Sequence, residues 1–164
     1  AAVLREVARM SHWAKPVSEG RFRGVALHAC MGSIAAEVVE ISLEGRSIRV
    51  HRVDCAIDCG VAVNPDTITA QMESGIVYGL SAALNGSVTI EEGRVVDENF
   101  DTSTPLKMAQ MPEIRVSILK SDAAPGGAGE TSTPPVAPAL VNALYKATGQ
   151  RIRALPLSEQ GFES

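Results

Sequence analysis

A glycine-rich segment that ends in one acidic residue and leads directly into a helix places the tightest limits on how this chain can fold. Three of the four residues 126–129 are glycine, and Glu130 follows them. Because glycine has no Cβ, the backbone here can approach another group closely and can adopt positive φ at little cost. Thr133 and Pro134 are typical of a helix N-cap and of the first helical position, and Thr148-Gly149 is typical of a helix end. We therefore predict a tight turn that holds Glu130 just outside a helix N-terminus.

The pattern leaves two interpretations of Glu130 open. In the simpler one, the glycine-rich connection only leads into the helix, and Glu130 stabilises the positive end of the helix dipole. In the other, Glu130 is a general base, because a carboxylate on a rigid turn could remove a proton from a metal-bound water. The chain has no Gly-x-Ser-x-Gly elbow and no phosphate-binding Gly-Lys-Thr pattern, which argues against hydrolases and NTPases.

The remaining patterns predict one α+β unit. A chain of 164 residues with 45% hydrophobic residues can form one domain or part of one. The predicted elements are a helix at 3–10, three strands with short antiparallel links at 22–30, 34–43 and 47–57, a helix at 65–84, a hairpin at 87–96, a strand at 113–119 and the helix after Thr133. This order favours mixed, largely antiparallel sheets with two main helices.

The charge and the hydropathy of the chain argue against a nucleic-acid-binding surface and against a membrane-spanning segment. The net charge of −4 and the isoelectric point near 5.4 argue against a nucleic-acid surface. No run approaches the ~20 apolar residues of a membrane span. The helical pattern is already under way at Ala1, with no initiator Met and no capping signal, so we expect this chain to be cut from something longer.

The three cysteines, Cys30, Cys55 and Cys59, are odd in number and form no Cys-x-x-Cys pair, which argues against a disulfide framework. His51, Cys55 and Cys59 would share one face of an extended segment, and this spacing allows a metal-site interpretation. The spacing fits no zinc module, however. The favoured alternative is that these cysteines are small hydrophobic residues on a half-buried strand.

The middle helix carries Gln71, Gly75 and Gly79 at intervals of four residues. A glycine inside a helix costs about 1 kcal/mol relative to alanine, so each needs a reason, such as close approach of another backbone or of a flat ligand. The primary amide of Gln71 both donates and accepts hydrogen bonds, which suits the edge of a pterin. The alternative is a polar helix residue beside a tight helix-to-sheet contact.

Taken together, five segments resemble the C-terminal part of the molybdopterin-binding large (beta) subunit of the xanthine oxidase family, of the isoquinoline 1-oxidoreductase and aldehyde dehydrogenase type. These segments are residues 23–28, 58–65, 71–80, 126–130 with 134–140, and 151–157. The resemblance extends in order over nearly the whole chain. It implies that residues 1–164 are a C-terminal fragment of a molybdopterin-binding domain.

The resemblance also implies roles for individual residues. Glu130 falls on the family's active-site glutamate, the base that deprotonates a molybdenum-bound hydroxyl before it attacks an electron-poor carbon. Gly127, Ala128 and Gly129 would belong to the loop that packs against the molybdenum and the pterin. Gln71, on the helix face that carries Gly75, would hydrogen-bond the cofactor.

The implied activity is that of a molybdenum hydroxylase that oxidises an aldehyde or an N-heteroaromatic carbon with water as the oxygen source. The implied cofactor is molybdopterin, as a dinucleotide, with molybdenum. The implied partners are the remainder of the molybdenum subunit and a small separate subunit with [2Fe-2S] clusters, so the fragment alone should be inactive. The alternative function is a cofactor-free interaction or scaffold module that retains the fold.

The stretch 99–108 lies on the substrate side of the resemblance and departs from the family pattern. Ser103 stands where the family leads us to expect an aromatic residue, and Lys107 stands where it leads us to expect arginine. The sequence therefore predicts no particular substrate.

Overall fold

A four-stranded sheet with helices on both of its faces organises the chain in a computed structural model, which describes residues 1–97, 99 and 105–164. The helices are α1 (Ala2–Met10), α2 (Pro65–Asn85) and α3 (Thr133–Thr148). The strands are β1 (Arg21–Cys30), β2 (Ser33–Glu44), β3 (Ser47–Asp58), β4 (Ile90–Glu91), β5 (Arg94–Val95) and β6 (Glu113–Ile118). Single 3₁₀ turns cover Met108–Gln110 and Ser158–Gln160. The predicted α+β fold with largely antiparallel strands is confirmed.

The sheet has the strand order β1-β2-β3-β6, in which the first two pairs are antiparallel, as the short links predict. Strand β6 lies parallel to β3 at the edge, with Val53 opposite Ile114. Since α2 and the β4–β5 hairpin lie between these two strands in sequence, β6 is reached by a long crossover connection. The hairpin forms a separate two-stranded ribbon.

The two faces of the sheet have separate hydrophobic cores. On one face α2 and α3 pack against the strands, and α2 contributes three fully buried residues at intervals of four, Met72, Ile76 and Leu80. On the other face α1 places Val3 and Val7 against the sheet. Within the ranges that the structure describes, no helix combines the length and the apolar character of a membrane span.

Helix α3 lies unusually close to β1. A Cβ added to Gly24 would lie 2.1 Å from the Ala139 carbonyl oxygen and 2.3 Å from the Ala143 nitrogen. The Asn142 side-chain amide also donates to the Val25 carbonyl oxygen at 3.1 Å. Only glycine leaves room for this approach. These contacts fix α3 on the sheet, and they therefore fix the position of the loop that leads into it.

Candidate active site

The glycine-rich loop is held by the ends of three strands. The Gly126 amide donates to the Cys59 carbonyl oxygen, and the Gly127 amide donates to the Met31 carbonyl oxygen, both at 2.8 Å. A Cβ at Gly126 would lie 2.4 Å from Ser33 Oγ, and one at Gly127 would lie 2.9 Å from Met31 Cβ. The close approach that the sequence predicts at these two glycines is therefore made by the chain itself, at the β1–β2 turn.

Gly129 differs from the other glycines of the loop. A Cβ there would meet nothing within 4 Å, and the residue is exposed. Ala128, its neighbour, is partly buried and packs against the core. No contact within the described part of the chain explains why residue 129 is glycine, so its bare backbone is open to a ligand or to another chain.

Glu130 is exposed at the end of this loop. Its carbonyl oxygen accepts a hydrogen bond from the Thr133 amide at 3.0 Å, which closes the turn. Among the described residues its carboxylate makes no ion pair and no side-chain hydrogen bond, so it does not cap α3. A charge–dipole interaction with the start of α3 needs no hydrogen bond, so the simpler interpretation stays open beside the role of a base.

The start of α3 differs by one residue from the sequence prediction. The helix begins at Thr133, and Ser132 is the N-cap residue but makes no capping hydrogen bond with its side chain. Instead Ser132 Oγ donates to the Met72 carbonyl oxygen at 2.9 Å, and Thr133 Oγ1 donates to the Gly75 carbonyl oxygen at 3.3 Å. Both hydroxyls therefore donate to α2, and the Ser132 side chain makes no hydrogen bond to its own helix.

Gly75 and Gly79 of α2 lie against the start of α3. A Cβ at Gly75 would lie 2.2 Å from Ser132 Oγ, and a Cβ at Gly79 would lie 2.5 Å from Val136 Cγ1. Of the reasons offered for these glycines, close approach of another segment of the chain is right for both. The neighbour is a helix, however, and the predicted helix-to-sheet contact is wrong.

An open cavity of about 390 Å³ brings the loop and α2 together. Its described lining consists of Ser74, Gly75, Tyr78, Gly129, Glu130, Thr133 and Pro134. The cavity thus unites three predicted site residues, Gly75, Gly129 and Glu130. Gly127 and Ala128 lie outside it, and Gln71 is exposed on α2, one helical turn before Gly75.

Sequence reasoning missed Tyr78, whose side chain is 72% exposed beside Glu130. Tyr78 and Ser74 also line a larger groove of about 1040 Å³ along α2, which does not include Glu130. Of the predicted substrate-side stretch, Leu106 lines this groove, whereas Lys107 is exposed and does not. Ser103 lies outside the described residues. A large exposed aromatic residue on an otherwise small-residue face of α2 is the signal that could have identified Tyr78.

The metal-site interpretation of His51, Cys55 and Cys59 is not supported. The β2–β3 register shifts so that Ile41 pairs with Val50 and Glu40 pairs with Arg52, which leaves His51 out of the ladder. The alternation along β3 therefore changes phase at His51, whose Nε2 lies 2.7 Å from Ser42 Oγ. The described residues contain no group of three His, Cys, Asp or Glu that could hold a metal ion.

Cys55 and Cys59 are packed as small hydrophobic residues. Both lie in the core cluster, and burial raises the pKa of each thiol. At neutral pH these raised pKa values keep both thiols in their protonated, unreactive form. Burial also lowers the pKa of His51, with Arg21 and Arg49 adding to the effect.

The chain matches a family model described as molybdopterin cofactor-binding domain over residues 5–112. This span includes β1 to β3 and α2, but it ends before the glycine-rich loop and Glu130. The matched span thus includes three of the four strands of the sheet, without β6, and the helix that forms one wall of the cavity.

Two curated relatives align with 96% of this chain and therefore include the glycine-rich loop. Isoquinoline 1-oxidoreductase subunit beta of Brevundimonas diminuta is 36% identical over 162 residues. A protein of Gluconacetobacter polyoxogenes named membrane-bound aldehyde dehydrogenase (pyrroloquinoline-quinone) is 31% identical over 169 residues. The chain spans about a fifth of the length of each, 21% in both cases.

The fold also occurs in a solved structure, quinoline 2-oxidoreductase from Pseudomonas putida 86. The match has a TM-score of 0.65 and 22% identity, and it covers 76% of this chain and 17% of that one. At this identity the likeness shows the fold alone.

Proposed function

Because this chain belongs to the molybdopterin cofactor-binding domain family, we propose that it forms part of the molybdenum site of a larger oxidoreductase, in which Glu130 is the catalytic base. The observation that carries the proposal is the position of Glu130, which lies at an open cavity on a turn fixed between the sheet and two helices. A base must be held where it can reach its proton, and a rigid scaffold provides such a position.

The residues around the cavity suit a flat, polar cofactor. Gly129 has no side chain, and a Cβ added there would lie more than 4 Å from the other described residues apart from its chain neighbours, so a ligand can approach its backbone from that side. The exposed amide of Gln71 can donate to and accept from the edge of a pterin. In this proposal Gln71 and Gly129 contact the cofactor, while Gly75, Gly127 and Ala128 set the shape of the site.

The bound cofactor would supply the two-electron acceptor and activate the oxygen that is transferred. Glu130 would remove the proton from the water-derived nucleophile as it attacks an electron-poor carbon of an aldehyde or an N-heterocycle. The closed turn fixes the backbone that carries this side chain, which keeps the carboxylate at the mouth of the cavity.

The rest of the site must come from other parts of the assembly, because this chain spans only about a fifth of its relatives. We propose that the remainder of the molybdenum subunit completes the pocket and binds the dinucleotide part of the cofactor. A separate small subunit with [2Fe-2S] clusters would then accept the electrons.

The proposal is tested by Glu130→Gln in the complete enzyme. Turnover should fall by about 10²–10⁴, because the amide cannot act as a base, while the molybdenum content stays unchanged. Glu159→Gln, an exposed carboxylate outside the cavity, is the matched control and should retain wild-type turnover.

Two other outcomes would contradict the proposal. Full turnover in Glu130→Gln would reject the base role. A native protein that carries no molybdenum would reject the enzyme and would favour the alternative of a cofactor-free interaction module.

A further inference from the structure

Three successive hydroxyl residues, Thr131, Ser132 and Thr133, directly follow Glu130, and each bonds a different backbone carbonyl oxygen. Thr131 Oγ1 donates to Gly127 at 2.9 Å, within the loop itself. Ser132 Oγ donates to Met72 at 2.9 Å, and Thr133 Oγ1 donates to Gly75 at 3.3 Å, both in α2. Three side-chain hydrogen bonds therefore hold the turn that carries Glu130. One lies within the loop, and two join it to α2, which forms the opposite wall of the cavity.

The burial of these hydroxyl groups makes their hydrogen bonds hard to replace. Thr131 and Ser132 are completely buried. At these buried positions no water can replace a hydroxyl that is removed, so its hydrogen bond is lost without substitution. The carbonyl oxygens of α2 can accept these extra bonds because each has a second lone pair.

The backbone of α3 has too few free amide groups in its first turn to hold the loop in place of these hydroxyls. Pro134 and Pro135 occupy the positions after Thr133, and proline has no N–H. The Thr133 amide already donates to the Glu130 carbonyl oxygen. The first turn of α3 therefore offers few backbone donors to hold the loop, and the three side-chain hydroxyls take their place.

Gly75 is the complementary feature on α2. Its missing Cβ leaves the space that Ser132 Oγ occupies, since an added Cβ would lie only 2.2 Å from that oxygen. The same residue lines the cavity beside Glu130. Contact between α2 and the hydroxyl residues therefore sets the distance between the Glu130 turn and the wall of the cavity.

We propose that Thr131, Ser132 and Thr133 are positioning residues that hold Glu130 against α2 for proton transfer, with Ser132 as the central member. This inference rests on the proposed function of Glu130. None of the three needs to touch the substrate, because each acts on the backbone that carries the base.

The test uses Ser132→Ala and Thr131→Val in the complete molybdenum enzyme. A misplacement of about 1 Å can cost ~10² in rate, so kcat should fall by up to that factor while KM and molybdenum content stay unchanged. Thr131→Ser, which keeps the hydroxyl, should restore most of the rate lost in Thr131→Val. A merely structural role would lower the content of active enzyme without this change in kcat per molybdenum.

Thr148→Val provides the matched control. Thr148 Oγ1 donates to the Leu144 carbonyl oxygen at 2.8 Å, which is the same kind of bond at the other end of α3. This variant loses a hydroxyl-to-carbonyl hydrogen bond at an exposed position at the far end of α3, so it should keep wild-type kcat per molybdenum.

Glu130→Gln separates this inference from the proposed function. In that background Ser132→Ala should cause no further loss of kcat, because the base that it positions is already absent. If Glu130→Gln loses turnover but Ser132→Ala keeps the wild-type kcat, or if the two losses multiply, the positioning role is overturned alone. If Glu130→Gln keeps full turnover, the proposed function and this inference both fail.

Discussion

Glu37 of β2 lies directly opposite Cys55 of β3, and both side chains have no exposed surface. Burial raises the pKa of Glu37 well above its usual value of 4.5, and the Cys55 thiol only partly opposes this. Burial likewise raises the pKa of Cys55, and the neighbouring carboxyl adds to the increase. The core beneath α3 thus contains an acid and a thiol that both favour their neutral forms.

Because the pKa of Glu37 is raised in the folded protein, we expect the stability of the fold to decrease as the pH rises above about 4.5. The folded state keeps a proton on Glu37 that the unfolded state releases, so the free energy of unfolding should fall by up to about 1.4 kcal/mol per pH unit. Glu37→Gln should flatten this dependence. Urea unfolding of the 164-residue chain between pH 5 and pH 8 measures the slope. Glu44→Gln, on the exposed end of the same strand, should keep it, and an equal slope in wild type and Glu37→Gln would contradict the prediction.

Substitution by alanine should destabilise the fold at Gly75 and leave its stability nearly unchanged at Gly129. Gly75→Ala places a Cβ 2.2 Å from Ser132 Oγ and 3.0 Å from Thr133 Oγ1. Overpacking costs about 1–3 kcal/mol and a displaced Ser132 loses its buried bond, which together exceed the ~1 kcal/mol that alanine gains in a helix. Gly129→Ala meets open space and should change stability by less than about 0.5 kcal/mol. Chemical unfolding of both variants checks this order.

The double variant Gly75→Ala/Ser132→Ala identifies the cause of the Gly75 effect. Alanine at 132 removes the hydroxyl oxygen that the new Cβ would meet, so the double variant should be less destabilised than the sum of the single changes. Additive losses would show that the new Cβ clashes elsewhere. In the complete enzyme, Gly129→Ala should lower the molybdenum content if its backbone faces the cofactor as proposed.

Local patterns predicted most of the fold. Asn64-Pro65 is a local pattern typical of an N-cap followed by the first helical position, and Asn64 Oδ1 accepts from the Thr67 amide at 3.1 Å. The antiparallel order of β1 to β3 also follows from alternation and short links, because these signals involve neighbouring residues. The start of α3 was predicted one residue late because the hydroxyls of Ser132 and Thr133 bond α2, about 60 residues away in sequence.

The site could be predicted less completely, for the same physical reason. The sequence shows Gly126, Gly127 and Gly129 as equivalent, yet the first two make room for the β1–β2 turn and only the third is open. Gly75 likewise is explained by α3. What a missing Cβ makes room for depends on tertiary neighbours, which no local pattern encodes.

The ion pairs of Asp54 predict a large and specific loss of stability. Asp54 is 1% exposed, with its carboxylate 3.0 Å from Arg52 Nε and 2.8 Å from Arg115 Nε. Asp54→Ala removes a buried partner from both guanidinium groups, which stay partly exposed and keep Glu40 and Glu113 as partners, so it should cost about 1–3 kcal/mol. Glu113 pairs with Arg115 at 3.6 Å from an exposed position, so Glu113→Gln should cost less than about 1 kcal/mol. Equal losses in urea unfolding would contradict this difference.

The rate of alkylation should distinguish the buried Cys55 and Cys59, which we interpret as core residues and not as metal ligands, from the partly exposed Cys30. Cys55 and Cys59 are buried and have raised thiol pKa values, whereas Cys30 is partly exposed. Alkylation requires an accessible thiolate. Under native conditions at pH 7.5, iodoacetamide should therefore modify Cys30 well before Cys55 and Cys59, as mass spectrometry of the peptides would show.

Treatment with a chelator tests the metal-site interpretation directly. It should change neither the order of alkylation nor the urea midpoint of the chain, because His51 lies outside the face that carries Cys55 and Cys59. A chelator that exposed Cys55 or Cys59 to rapid alkylation would instead reveal a metal bound through these thiols.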